Sequence, residues 1–378
     1  MNLGARVHRA REALGLSQDQ LAEQVGLRRE AISEIENGKR NVKVDELIRL
    51  AQALGRPLEF FVSEEEPLEP VVAYRGDALS ESGVPQAKVR LESRIGYFEE
   101  LVQRLGWKPS CALAQTRTTT RGVVALAVRA ALEQRKLLGL GACAVRSMRT
   151  ELESKLQVPV FAESLGRESV FCGMLLFGGK HNTPGMLLNA DLPQGRRNFT
   201  LAHEWGHLVW KASSSEFTAD VLDTLAADRD SAEEKFANAF AAHLLAPEEA
   251  ILHQMEDKEL KGRDLDAEAI QRIAYEFGVS FQVMTYRLQD CGLLGREAAK
   301  ALRENTRVTG LQYYSEELEP MQKMSPLYEA AVMEGYHDHD LHPSKAAEML
   351  SLTTAEFMER ADAAEPDFAA EQALAATG

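Results

Sequence analysis

The 378-residue sequence predicts a multidomain α and α+β protein: an all-α head, an α+β body with a small sheet, and a helical C-terminal region. Three observations predict it. Residues 1–63 hold short segments with apolar residues at helical spacing, residues 158–189 hold short apolar runs broken by turn residues, and helical periodicity resumes from there to about residue 361. The length itself favours two or three compact units. We place the units at 1–63 (head), 64–120 (linker and helical connector), 121–300 (body) and 301–378 (C-terminal region).

Hydrophobic residues at 45% and charged residues at 27% are those of an ordinary soluble protein. No stretch approaches the ~18 uninterrupted apolar residues that a membrane span needs; the run from Val123 to Val128 stops at Arg129. The first residues lead straight into an amphipathic pattern with Arg6, Arg9 and Arg11 and show no secretory apolar region, so a cytoplasmic location is expected. Cys111, Cys143, Cys172 and Cys291 are scattered without C-x-x-C spacing and read as buried reduced thiols. The formal net charge of −15 excludes a protein that coats nucleic acid over its whole surface. Residues 1–63 carry ten Lys/Arg against nine Asp/Glu, near +1, so the rest of the chain holds the deficit and any DNA contact is local to the head.

In the head, Leu3, Val7, Ala10 and Leu14 line one helix face that ends at Gly15. Ser17 caps a second helix with Gln20 reaching back, Leu21, Ala22 and Val25 are its buried side, and Gly26 ends it. A third helix runs from about Arg28 to Glu36, burying Ala31, Ile32 and Ile35 and stopping at Asn37-Gly38. Two more helices fit Val44 to Leu54 and Leu58 to Val62.

Short helices around a glycine-containing turn form the helix-turn-helix pattern, whose second helix enters the DNA major groove. The pieces Ser17-Gln18-Asp19-Gln20-Leu21-Ala22, Val25-Gly26 and Ile32-Ser33-Glu34-Ile35-Glu36-Asn37-Gly38-Lys39 resemble the XRE family of lambda repressor and Cro, over residues 3–63. The resemblance implies that Gln18 touches a phosphate, that Arg29, Glu30 and Glu34 face base edges, and that Lys39, Arg40 and Lys43 meet the DNA backbone. Arg28 stands where the family has Ser or Thr, which removes the usual cap and offers a further phosphate contact. The plainer alternative is a helical module for protein contacts, with Arg28, Arg29, Lys39 and Arg40 as a solvated face.

Residues 63–70, Ser-Glu-Glu-Glu-Pro-Leu-Glu-Pro, read as an acidic linker. Helices follow at about Leu91 to Leu105, Gly122 to Leu137 and Cys143 to Leu156. Strands are expected at 158–161, 169–172 with 174–177, and 185–189, separated by Gly, Lys and Asn-Thr-Pro turns.

The segment Phe199-Thr200-Leu201-Ala202-His203-Glu204-Trp205-Gly206-His207 contains H-E-x-x-H, with Thr200 as a candidate helix cap. Imidazoles at i and i+4 share a helix face and both reach one Zn²⁺ at about 2.0–2.1 Å, with the intervening Glu204 placed to act as general base. By chance the pattern occurs on the order of once or twice per hundred such chains, so its surroundings decide. A catalytic zinc needs a third protein ligand and an open position, and the helix implied by residues 233–247 offers carboxylates for it.

The two runs F-T-L-A-H-E-x-G-H and E-x-x-A-N-x-F-A-x-x-L-L-x-P resemble the ImmA/IrrE family of zinc metallopeptidases, from about residue 155 to 294. The resemblance implies a zincin-like α+β metallopeptidase body of the gluzincin kind, with Glu234 as third ligand beside His203 and His207, and Asn238 on the same face. Glu233 lies about 100° around the helix and His243 about 180° around, so His243 is read as a packing or surface residue. No residue is assigned as transition-state stabiliser; His181 and Tyr286 fit that role by residue type only, and a lone His or Tyr is more often structural.

In the C-terminal third, residues 270–292 resemble the closing helices of the same peptidase family. Helices are expected at 327–335, 344–350 and 353–361, with Ala346 to Thr353 a helix-turn-helix fragment suited to protein contact. The His337-Asp338-His339-Asp340-Leu341-His342 tract reads as solvated rather than metal-binding, and the tail after Asp362 as frayed. Together these readings imply a DNA-binding transcriptional regulator with a zinc-dependent endopeptidase domain acting on a regulatory protein. The head would bind a double-stranded DNA operator through residues 1–63; a homodimer is compatible with this, and a membrane is not involved. The rival is a non-enzymatic transcription factor or antitoxin-like repressor whose zinc domain serves as a sensor or dimer interface.

Overall fold

A computed structural model describes residues 3–56, 58–62, 71–73, 83–107, 122–178, 181–212, 231–257, 265–305, 321–338 and 341–363. The acidic linker at 63–70, Cys111, the turn at 179–180, the side chain of His181, the pair His339-Asp340 and the tail from 364 lie outside the described residues. No helix among the described residues is long and apolar enough to cross a membrane.

The head is five helices: α1 (Leu3–Ala13), α2 (Gln18–Val25), α3 (Arg29–Glu36), α4 (Val44–Ala53) and α5 (Leu58–Val62). Val7, Leu21, Ile32, Ile35, Leu50, Leu54 and Phe61 bury one shared core. The expected box forms at Ser17: Gln20 N donates to Ser17 Oγ at 3.1 Å and Ser17 N donates to Gln20 Oε1 at 2.7 Å. Gly26 ends α2 at φ 65°, a left-handed conformation in which an L side chain is strained, and this turns the chain into α3. Arg28 sits at the N-cap of α3 without a side-chain cap bond, as its residue type implied.

Helix α6 (Val84–Leu105) begins seven residues earlier than its periodicity suggested, with Pro85 in its first turn. It belongs to two cores. Val89 packs into the head cluster, where Arg56 Nη1 meets Glu92 Oε2 at 2.6 Å, while Leu91, Ile95, Phe98 and Leu101 pack on the body.

The body is built on a four-stranded sheet of order β1-β3-β4-β2, from β1 (Val71–Ala73), β2 (Val160–Glu163), β3 (Gly173–Gly178) and β4 (His181–Asn189). β2 runs parallel to β4, and β3 is antiparallel to both β4 and β1. Alternation divides the strands between two layers. Phe161, Met174, Leu176 and Leu187 face α6 and the C-terminal helices α15 (Pro326–Asp338), α16 (Pro343–Leu350) and α17 (354–363). Val160, Leu175, Met186 and Leu188 face the other layer. That layer holds α7 (Val123–Leu137), α8 (Met148–Leu156), α9 (Gln194–Ala212), α10 (Ala232–Leu245), α11 (Glu248–Asp257), α12 (Ala267–Glu276), α13 (Phe281–Asp290) and α14 (Arg296–Asn305).

Several local expectations are corrected. Residues 143–146 are not helical: Arg135 donates Nη2 to the carbonyls of Gly141 and Cys143 at 2.7 and 2.5 Å, and α8 starts only after Ser147, whose Oγ accepts from Thr150 N. Cys143 is exposed in that loop, and Cys172 and Cys291 are half-buried. Residues 169–172 form no strand, because Ser169 Oγ accepts from Phe171 N and folds the segment on itself. The Asn-Thr-Pro expected as a turn lies within β4. β1, unforeseen inside the linker and connector, pairs Val71, Val72 and Ala73 with Phe177, Leu176 and Leu175. In the Ala346–Thr353 fragment Ala346, Ala347, Met349 and Leu350 are buried in this chain's own core, while Glu348, Ser351 and Thr353 are exposed.

Candidate functional site

Helix α9 carries the H-E-x-x-H run and starts at Gln194, so Thr200 is mid-helix and buried rather than a cap. The start is set by Pro193, whose carbonyl accepts from Arg196 N and Arg197 N at 2.9 Å each. Asn198 anchors the helix from below: its Oδ1 accepts from Met148 N at 3.0 Å and its Nδ2 donates to the carbonyls of Arg146 and Gly278 at 2.8 and 2.9 Å. Gly206 lets α10 come close, since a Cβ there would lie 3.0 Å from Ala237 Cα and 3.1 Å from Phe240 Cδ1. α10 is capped by Ser231, whose Oγ accepts from Glu234 N at 3.1 Å, and this places Glu234 in its first turn against the histidines.

His203, His207 and Glu234 are all buried, and one ligand atom from each lies within 4.8 Å of the others. The Nε2 atoms of His203 and His207 are 3.0 Å apart, Glu234 Oε1 is 3.3 Å from His207 Nε2, and Glu234 Oε2 is 3.7 Å from His203 Nε2. Tetrahedral ligands at zinc distances are separated by about 3.3 Å, and these three edges bracket that value. Two imidazoles and one carboxylate form a donor set that could hold a divalent metal ion. The electrostatics agree. Burial disfavours a charged His207, yet hydrogen bonds to Glu233 and Glu234 and the charge of Glu204 raise it to about 9. Burial would likewise push the Glu234 carboxyl up, but the hydrogen bonds from His203 and His207 hold it well below the usual carboxylate range.

Glu204 is buried beside His203 and both line a cleft of about 100 Å³ between α9 and residues 170–173. His243 points away, as its spacing implied. Its Nε2 faces Arg287 Nη1 at 3.1 Å, and burial followed by the Arg287 charge lowers it to about 4. Tyr286 lies on α13 under the Arg303 guanidinium, 4.1 Å from ring centroid to Cζ, and outside the cleft. His342 caps α16, its Nδ1 accepting from Ser344 N at 3.2 Å. Sequence reasoning missed Glu233 as a partner: its Oε1 lies 2.8 Å from His207 Nδ1 and 3.9 Å from Lys211 Nζ. The adjacent pair Glu233-Glu234 was its visible signal. It also missed the cleft wall at Val170–Gly173, which carries no motif.

On the head, Arg28, Arg29, Glu30 and Glu34 of the α2–α3 unit and Lys39 and Lys43 beyond it are exposed. Arg29 Nε lies 3.5 Å from Asp19 Oδ2 at the surface. Two residues expected at DNA are held by carboxylates: Gln18 Nε2 donates to Glu36 Oε2 at 2.8 Å, and Arg40 Nη2 donates to Glu46 Oε1 at 2.6 Å. Lys43 is the N-cap of α4 and its backbone N donates to Glu46 Oε2 at 3.1 Å.

Two segments of the chain match known families, a helix-turn-helix segment in the head and a peptidase-family segment in the body. Residues 7–61 match the family model described as Helix-turn-helix, and residues 155–289 match the one described as IrrE N-terminal-like domain. The chain thus carries an XRE-type helix-turn-helix domain and an IrrE/ImmA-like domain. Among curated proteins it is similar to the HTH-type transcriptional regulator PuuR of Escherichia coli (strain K12) and that of Shigella flexneri, each 38% identical over 89 residues, 23% of this chain and 48% of the relative. It is also 33% identical over 69 residues to the uncharacterized transcriptional regulator in ATPase CF(0) region of Rhodospirillum rubrum, covering 18% of this chain and 64% of the relative. The chain spans about half the length of the first of these relatives. No solved structure is significantly similar to it.

Proposed function

We propose that this protein is a DNA-binding transcriptional regulator whose body is a zinc-dependent endopeptidase acting on a regulatory protein. The convergence of three buried ligand atoms from His203, His207 and Glu234 beside the buried carboxylate of Glu204 is the observation that carries the reading. His203, His207 and Glu234 would hold the metal, and Glu233 fixes the His207 ring through Nδ1 so that Nε2 faces the ligand cluster. Bound zinc would supply Lewis acidity toward a peptide carbonyl and lower the pKa of water. Glu204 takes a proton from water as its oxygen adds to the carbonyl carbon, and returns it to the departing amide nitrogen as the C–N bond breaks. The cleft beside His203 and Glu204 admits the substrate.

In the head, α3 lies in the major groove with Arg29, Glu30 and Glu34 toward base edges, and Arg28 and Lys39 toward phosphates. Lys43 extends this surface, while Gln18 and Arg40 act in the posture that Glu36 and Glu46 impose. Fusion of a DNA-binding head to a peptidase raises the local concentration of enzyme near DNA-bound targets. The test is metal analysis combined with a transcriptome of wild-type and Glu204→Gln cells at matched protein levels. Stoichiometric zinc with Glu204-dependent fragments and altered transcription supports the proposal. Equal regulation in both strains with no Glu204-dependent fragment replaces it with the non-enzymatic transcription factor.

A further inference from the structure

The cleft beside Glu204 is chemically lopsided. One wall is α9, which presents Arg196, Phe199, Thr200 and His203 from successive turns. The other is the stretch ahead of β3, where Val170 is 71% exposed and Phe171 and Cys172 follow. The wall residues are largely apolar, and Arg196 is the one cation among them. Its Nη2 donates to Cys172 Sγ at 3.2 Å, and no carboxylate pairs with it among the described residues. A thiol is a weak acceptor, so this contact orients the guanidinium without neutralising it. In a chain of 58 Asp/Glu and 43 Lys/Arg, a cation at the mouth of the site that lacks a carboxylate is available to a ligand. Arginine offers the planar fork that binds a carboxylate through two parallel bonds.

The spacing says where that carboxylate would sit. Arg196 precedes His203 by seven residues, a rise of about 10 Å along the helix. An extended peptide covers this in about three residues at ~3.3 Å each.

We propose that Arg196 is a specificity-determining residue, selecting extended peptides that carry Asp or Glu about three residues from the scissile bond, with an apolar neighbour against Phe199 and Val170. The inference rests on the peptidase reading of this same site and names the substrate class that the site takes. Cys172 is a positioning residue that holds the guanidinium across the cleft.

The test uses the zinc-loaded full chain and a synthetic library of randomised decapeptides, read in two ways: sites of cleavage by mass spectrometry, and affinity selection of uncut peptides on the Glu204→Gln protein. Wild type should favour Asp/Glu over Asn/Gln about 10- to 100-fold at one fixed distance from the cut. Arg196→Gln should remove that preference and Arg196→Glu should turn it toward Lys/Arg, with zinc content and melting temperature unchanged. Cleavage with no acidic preference, or with the same preference in Arg196→Glu, overturns the inference and leaves the peptidase reading standing. No cleavage by wild type overturns the peptidase reading, and the selection on Glu204→Gln then decides the subsite. Acid-selective binding that is lost on adding Arg196→Glu upholds it as a binding determinant, and binding without acid selectivity ends it.

Discussion

Glu233 and His207 are joined by a 2.8 Å contact between Oε1 and Nδ1, on the side of the imidazole opposite the atom that faces His203 and Glu234. A carboxylate on the far ring nitrogen fixes ring orientation and raises ligand basicity, and its loss weakens metal binding about 10- to 100-fold. Glu233→Ala should therefore bind zinc with stoichiometry retained at saturation but with affinity lowered by about that factor, as read by competition with a chromogenic chelator. Glu234→Ala, His203→Ala and His207→Ala should lose more, and His243→Ala should lose nothing. Stoichiometric zinc after both histidine changes sinks the assignment, and a larger loss from Glu233→Ala than from Glu234→Ala moves the third ligand by one residue.

Glu204→Gln separates chemistry from metal binding. The amide keeps the side-chain shape but is no carboxylate base. Zinc content and DNA affinity should be unchanged, while peptide cleavage falls about 10²- to 10⁴-fold. Cleavage within a factor of a few of wild type would remove Glu204 from the base role.

The head offers two kinds of contact that substitutions should distinguish. Arg29→Ala and Glu30→Ala, at the start of α3, should relax sequence preference, each good base contact being worth about 1–3 kcal/mol. Lys39→Ala should weaken binding evenly across sequences and reduce its salt dependence. A genomic selection with the isolated segment 1–65, also as a tethered dimer, provides the measurement. Absence of selective, salt-sensitive binding in both formats would make the head a protein-contact module.

Acid should destabilise the body through His243. Burial, and then the charge of Arg287, lower its pKa from 6.5 to about 4. Between those values the unfolded chain binds a proton that the folded chain does not, so stability is complete above about 6.5 and declines as pH falls toward 4. The ring is only half-buried, so solvent screening reduces the loss to on the order of 1 kcal/mol. Urea midpoints at pH 7.5 and pH 5 check this. His243→Gln should flatten the pH slope over that window, and an unchanged slope would assign the acid sensitivity to other groups.

The amino-acid sequence by itself determined what depends on near neighbours. Helices α1 to α5, the Ser17–Gln20 box, the pairing of His203 and His207 on one face and the turning-away of His243 all follow from helical period and cap chemistry. Local reasoning failed where anchors outside the apolar pattern, near or far in the chain, claimed a segment. Arg135 holds residues 141–143 out of a helix, Pro193 and Asn198 carry α9 back beyond Thr200, and pairing to β3 makes a strand of Val71–Ala73 within an expected connector. Two helices are needed to close the candidate metal centre. Gly206 sets how near α10 approaches, Ser231 sets where α10 begins, and together they bring Glu234 to His203 and Glu233 to His207 Nδ1. The cleft, with Arg196 turned toward Cys172, exists only because residues 170–173 come to lie against α9. A period of 3.6 says which side chains share a face, but which face meets which is decided by burial summed over the whole sheet and its two helical layers.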